Sequence, residues 1–213
     1  AESQPVQVSV TVKEPVFLEQ DGVFFVTEAA DGSEAQVRLR TEAVNETDAP
    51  VEAVVRHTLH APDGHLAAML EAPCTLPARG HTTVEQAGTV TAPRLWSVDD
   101  PALYTLTTGL LVAGQVSDSE AIRVGLRTFC FDPDTGFTLN GVSLKLKGVC
   151  LHDDAGCLGT AVPPAVWRRR LAILREAGCN AIRMSHNPHL PELYDLCDEM
   201  GFLVIDEAFD EWE

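Results

Sequence analysis

The chain has 213 residues with 15 Lys and Arg against 32 Asp and Glu, a formal charge of −17, and 45% hydrophobic and 22% charged residues. This is ordinary globular composition, long enough for one large domain or two small ones. The acidity and the scattered basic residues argue against a nucleic-acid partner, and the absence of an apolar run of about 18 residues argues against a membrane span.

The first half reads as strands. Val6, Val8, Val10 and Val12 alternate with polar residues, and similar runs follow at 23–27, 36–44, 51–60, 66–70, 82–90, 103–112 and 121–129. Turn chemistry separates them: Asp21-Gly22, Asp31-Gly32, Asn45 to Pro50, Asp63-Gly64 and Arg79-Gly80. Seven or eight short strands at this spacing predict an all-β immunoglobulin-like sandwich over residues 1–128. Trp96, in the segment PRLWSVDDPALYTL, is read as a packing residue beside a strand rather than a sugar-stacking platform.

After Phe131 the period changes. Asn140-Gly141 predicts a two-residue hairpin. Leu144 to Val149 reads as a strand, followed by the loop CLHDDAGCLGTAVPP. A helix enters at Pro163-Pro164, carries Trp167, Leu171 and Leu174 on one stripe, and stops at Gly178. Ala181 to Ser185 is a strand. A second helix runs from Pro191 to Gly201, and FLVID at 202–206 is a strand apolar enough to be covered on both faces. Strand–helix–strand–helix–strand implies a parallel sheet. Residues 129–213 are therefore expected to hold the first three or so units of a (β/α)8 TIM barrel, truncated at the C-terminus.

In such barrels functional residues gather at the C-terminal ends of the strands. His152, Asp153 and Asp154 follow the first strand. Arg183, Ser185, His186 and Asn187 close the second. Asp206, Glu207, Asp210, Glu211 and Glu213 close the third. Each has a structural reading as well: His152 as a loop brace, Arg183 as an ion-pair partner of Glu207 or Asp206, His186 as turn chemistry before Asn-Pro. No HxH or HExxH spacing supports a metal site. The six cysteines form no CxxC pair, and Cys150 and Cys179 are expected to be buried free thiols.

LKGVCLHDDAGCLG, then PPAVWRRRLAILREAGCNAIRMSHNP, then PELYDLCDEMGFLVIDEAFDEW resemble the opening of the catalytic barrel of glycoside hydrolase family two. That family includes β-galactosidases, β-glucuronidases and β-mannosidases. LWSVDDPALYTL and VGLRTFCFD…FTLNG resemble the end of its immunoglobulin-like domain and the lead-in to the barrel. The resemblance implies a fragment of a retaining exo-β-glycosidase that acts on terminal β-linked sugars. Its acid/base and nucleophilic Glu residues would lie beyond Glu213, so the fragment alone is expected to be inactive. It implies substrate-binding roles for His152, Arg183, His186 and Asn187, with Asp206 and Glu207 as active-site structural residues that partner Arg183 and His186. Glu211 falls where metal-dependent members place a magnesium carboxylate, while Glu213 stands where they carry His. No cofactor is assigned beyond that one magnesium candidate. Ser-His-Asn-Pro and the DEAFDEW ending are most similar to the β-galactosidase branch. β-Glucuronidase or β-mannosidase activity is the alternative within the family, and a non-catalytic carbohydrate-binding or assembly module is the alternative outside it. The expected partners are a β-glycoside substrate and a second copy in a homo-oligomer. The compartment is left open, with the cytoplasm favoured.

Overall fold

The computed structural model describes residues 10–209, which form two compact units. One comprises Val10–Leu95 and Ala102–Thr128. The other comprises Trp96–Pro101 and the chain from Phe129 onward.

The first unit is built from seven strands: β1 (Val16–Ala30), β2 (Glu34–Asn45), β3 (Val51–His60), β4 (Leu66–Leu76), β5 (Gly80–Thr91), β6 (Tyr104–Val112) and β7 (Gln115–Val124). They make a three-stranded sheet in the order β1-β2-β5 and a four-stranded sheet in the order β4-β3-β6-β7, with every pairing antiparallel. Alternation decides what each strand buries. In β2, Ala35, Val37, Leu39, Thr41 and Ala43 point inward and are at most 2% exposed, while their neighbours face solvent. Val55 and Leu59 of β3 and Leu106 and Leu110 of β6 face them from the other sheet. This is an immunoglobulin-like sandwich.

The expected strand at Val6 to Val12 differs. Val6 and Val8 lie outside the described residues, and Val10 and Val12 are irregular and exposed. Alternation yields a strand only where a neighbour supplies hydrogen bonds and a face to cover, and β1 meets β2 only from Val16. Asp21-Gly22 is not a boundary. It lies within β1 as a bulge, with Asp21 at φ 54°, where the register slips between Leu18 and Val23. β7 starts six residues earlier than expected, directly after a two-residue turn at Ala113-Gly114.

The second unit opens with a short antiparallel meander, β8 (Phe129–Asp132), β9 (Gly136–Leu139) and β10 (Val142–Ser143). Asn140 and Gly141 have φ of 51° and 75°, the paired positive values a two-residue hairpin turn needs. A parallel sheet follows in the order β11 (Gly148–His152), β12 (Ala181–Ser185), β13 (Leu203–Ile205), with α1 (Pro164–Glu176) and α2 (Pro191–Met200) as crossovers. β11 is displaced toward the C-terminus of the expected 144–149 span, because its ladder with β12 runs from Gly148 opposite Ala181 to His152 opposite Ser185.

Both helices start with Pro at N1 and end on glycine. After α1, the Cys179 amide donates to the Leu174 carbonyl and the Gly178 amide to that of Arg175, a Schellman closure with Gly178 at φ 87°. The apolar stripes of α1 (Trp167, Leu171) and α2 (Leu193, Leu196, Cys197) pack on Ile182 and Met184 of β12 and on Phe202, all at most 5% exposed. Trp96 belongs to this unit and packs as expected. It is 2% exposed, and its indole N–H donates to the Asp198 carbonyl at 2.9 Å. Among the described residues no helix is long and apolar enough to cross a membrane.

Candidate functional site at the ends of the parallel strands

Strand alternation gives the parallel sheet two unlike faces. Val149, Leu151, Ile182, Met184 and Val204 pack against the helix side. Gly148, Cys150 and His152 of β11 take the opposite face, with Ala181, Arg183 and Ser185 of β12 and Leu203 and Ile205 of β13. Pairing sets these in layers: Gly148, Ala181 and Leu203, then Cys150, Arg183 and Ile205, then His152 and Ser185. Layers of inward side chains are what a barrel interior is made of.

Charge collects at the C-terminal end of this face. Arg183 forms an ion pair through Nη2 with Glu207 Oε1, and Glu207 Oε2 lies 2.9 Å from His186 Nδ1. Arg183 Nη2 is 3.5 Å from the same His186 nitrogen, and Nη1 donates to Cys150 Sγ at 3.4 Å. The His152 and His186 rings meet edge to face, 5.3 Å between centroids. The hydrogen bond from His186, reinforced by the Arg183 charge, holds the Glu207 carboxyl below the usual glutamate range. Hydrogen bonds from Arg183 and Ser185 lower the Cys150 thiol.

His152, Arg183, His186 and Glu207 thus come together. Glu207, not Asp206, takes the arginine. Asp206 Oδ1 instead accepts the Tyr194 hydroxyl at 2.8 Å and the Glu207 amide at 3.1 Å. Asn187 is exposed, and its carbonyl accepts from His189 Nδ1 at 3.0 Å. The Ser185–His186 peptide bond is cis. Asp210, Glu211 and Glu213 lie outside the described residues. Among the described residues no group of three or more His, Cys, Asp or Glu side chains is placed to hold a metal ion.

Two participants escaped the sequence reading. Cys150 was expected to be buried, but strand alternation turns it onto the open face beside Arg183 and it is exposed. Tyr194 sits among the apolar residues of α2, where nothing in the helical pattern separates a hydroxyl contact from packing. In the sandwich, the turn at Asn45 to Pro50 is held by its first residue. Asn45 is fully buried, its Nδ2 reaching the carbonyls of Ala49, Leu76 and Pro77 and its Oδ1 accepting the Thr47 amide and hydroxyl.

Residues 16–127 match the family model for glycosyl hydrolases family 2, and residues 133–211 match that family's TIM barrel domain. A β-galactosidase from Bacteroides ovatus is 43% identical over 93% of this chain, which spans 23% of that protein. A β-glucuronidase from Bacteroides fragilis is 34% identical over 89% of the chain and 27% of its own length. Among solved structures, a family 2 glycosyl hydrolase from Bacteroides cellulosilyticus superposes with a TM-score of 0.90 at 38% identity, covering 94% of this chain and 28% of that one. The chain therefore spans about a quarter of these relatives. Its sandwich and the start of its barrel place it in one family: this chain belongs to glycosyl hydrolases family 2.

Proposed function

We propose that the chain is the sandwich domain and barrel opening of a retaining exo-β-glycosidase, and that its natural substrate carries a terminal β-galactoside. The observation that carries the reading is the cluster of His152, Arg183, His186 and Glu207 on the inner face of the parallel strands, at their C-terminal ends. Retaining hydrolysis needs two carboxyls about 5 Å apart around the anomeric carbon. None of the carboxylates in this cluster forms such a pair, since Glu207 is committed to Arg183 and His186. The two catalytic carboxylates would come from later strands. The cluster supplies the surround: imidazole donors from His152 and His186 for sugar hydroxyls, and a guanidinium that fixes carboxylate geometry at the strand ends. Asn187, exposed beside them, would add an amide to the sugar contacts.

The galactoside preference rests on Ser185-His186-Asn187-Pro188 and on the 43% identity to a β-galactosidase across nearly the whole chain. β-Glucuronidases among the relatives keep that activity as the second reading. A binding-module role for the sandwich finds less support. One of its clefts is lined by Glu19, Asn45, Arg79 and His81, another by Glu52, Arg56, Glu71 and Leu111, and neither offers a Trp, Tyr or Phe on which a sugar could stack. The test is a panel of aryl β-glycosides presented to an enzyme that continues this chain through the rest of the barrel. Turnover of the galactoside above the glucuronide and mannoside is expected. A preference for the glucuronide would replace the substrate, and no turnover of any would overturn the reading. The 213-residue chain alone is expected to give none.

A further inference from the structure

Tyr194 projects from α2 toward the loops that follow β12 and β13, and its single hydroxyl is used twice. The phenolic oxygen accepts the His189 amide at 3.0 Å. The phenolic O–H donates to Asp206 Oδ1 at 2.8 Å. The direction is fixed chemically, because an ionised carboxylate only accepts and a backbone N–H only donates. His189 is three residues past His186, and Asp206 immediately precedes Glu207, so one oxygen ties together the two loops whose side chains meet in the cluster. Asp206 Oδ1 also accepts the Glu207 amide at 3.1 Å, which carries the tie into the Glu207 backbone. The first loop's other restraints are at His189, whose Nδ1 donates to the Asn187 carbonyl and whose ring lies 6.3 Å from that of Trp167 between centroids. His189 is 7% exposed with its Nε2 lacking a partner, and Asn187, Pro188 and Leu190 are exposed. Burial of the ring and donation to Asp206 both raise the phenol's pKa, which keeps the hydroxyl protonated for this bond.

We infer that Tyr194 is a positioning residue: its hydroxyl clamps the loop after His186 to the Asp206–Glu207 turn and so sets the Glu207 carboxylate between Arg183 and His186. The Tyr194 hydroxyl bonds to the His189 amide and to Asp206, and it acts on the cluster through the loops that these two residues belong to. The inference deepens the glycosidase reading and rests on it for its catalytic consequence, but not for its geometry.

The geometry is tested on the 213-residue chain. Tyr194→Phe keeps the ring packed in the helix and removes only the hydroxyl. In the wild-type chain, Glu207 followed by carboxyl NMR should titrate below the ordinary 4.5. In Tyr194→Phe the midpoint should move up toward that value, with changed His186 ring shifts. Asp206→Asn keeps a carbonyl acceptor for both bonds and should leave the midpoint at or below that of the wild type. Loss of packing alone would lower the melting temperature without moving a titration midpoint in the folded chain. Amide exchange adds a measurement that needs no variant: the His189 N–H should be protected in the wild-type chain. An unmoved Glu207 midpoint in Tyr194→Phe, or an unprotected His189 amide, overturns the clamp. In the longer enzyme, Tyr194→Phe should lower kcat for an aryl galactoside about tenfold, with KM nearly unchanged. If the longer enzyme cleaves no glycoside, the functional reading fails while the NMR result still decides the clamp.

Discussion

The two units solve burial in opposite ways. In the sandwich, two sheets cover each other, and Leu18, Val55 and Leu110 are fully buried by strands of the same unit. In the barrel unit, one face of the parallel sheet is sealed by α1 and α2, while the other presents Cys150, His152, Arg183 and Ile205. The sealed faces hold the fold. The open face carries the charges, because a side chain there can be chosen for its chemistry without opening a cavity among the helices.

Deletion of buried methyl groups separates the two kinds of face most sharply. Leu39→Ala in the sandwich and Leu171→Ala in α1, both at most 1% exposed, should each cost about 2–5 kcal/mol. Ile205→Ala should cost less than about 1 kcal/mol in this chain, because the side chain is already 54% exposed. Urea unfolding of the three variants measures the difference. An Ile205 cost equal to that of Leu171 would mean that the inner face is packed.

Gly201 is the next lever and acts on the barrel unit alone. It closes α2 at φ 74°, and a Cβ there would run into the Val98 carbonyl of the same unit. Gly201→Ala combines left-handed strain with a backbone clash, so a loss of about 1–3 kcal/mol is expected. Thermal unfolding should show it, with sandwich amides keeping their exchange protection.

Much of this was legible in the sequence, for reasons that differ by element. The helices were readable because proline entries, glycine stops and a wide apolar stripe all agree. The cluster at the strand ends was readable because the period of a parallel sheet fixes which residues reach its C-terminal edge. Turns divide by chemistry. Asn140-Gly141 announced its hairpin, whereas Ala113-Gly114 makes the same paired positive-φ turn, at 50° and 79°, from a residue that rarely adopts it. The start of β7 was missed for that reason. Asp21-Gly22 carried a turn signal but is spent on a bulge, since only the partner strand decides whether a kink ends a strand or bends it. The Tyr194 hydroxyl and the choice of Glu207 over Asp206 depend on three-dimensional loop paths, which no residue spacing encodes.

Acid distinguishes the units by cause. His57 of β3 is 2% exposed between the hydroxyls of Thr41 and Thr108, and burial pushes its pKa down from 6.5 to about 4. Its folded-state value is depressed because the neutral ring is the one that fits. Stability is whole above 6.5 and declines as pH falls from 6.5 to about 4, by roughly 3 kcal/mol at one pK unit per 1.36 kcal/mol. His57→Gln should flatten that decline in a urea-unfolding series across this range. Glu207 is also depressed, but because its charged form is favoured, by His186 first and Arg183 next. Its contribution is present above 4.5 and is lost as pH falls through the lower folded-state value. The pair is partly exposed, so water screens it and the effect on global stability should be small. The expected signature is local: between neutral pH and 4.5 the Glu207 carboxyl resonance holds while sandwich stability already falls, and below 4.5 it shifts as Glu207 protonates. A Glu207 carboxyl that titrated above 4.5, where the His57 contribution is already declining, would show that the open face shares the sandwich's acid sensitivity instead of having its own.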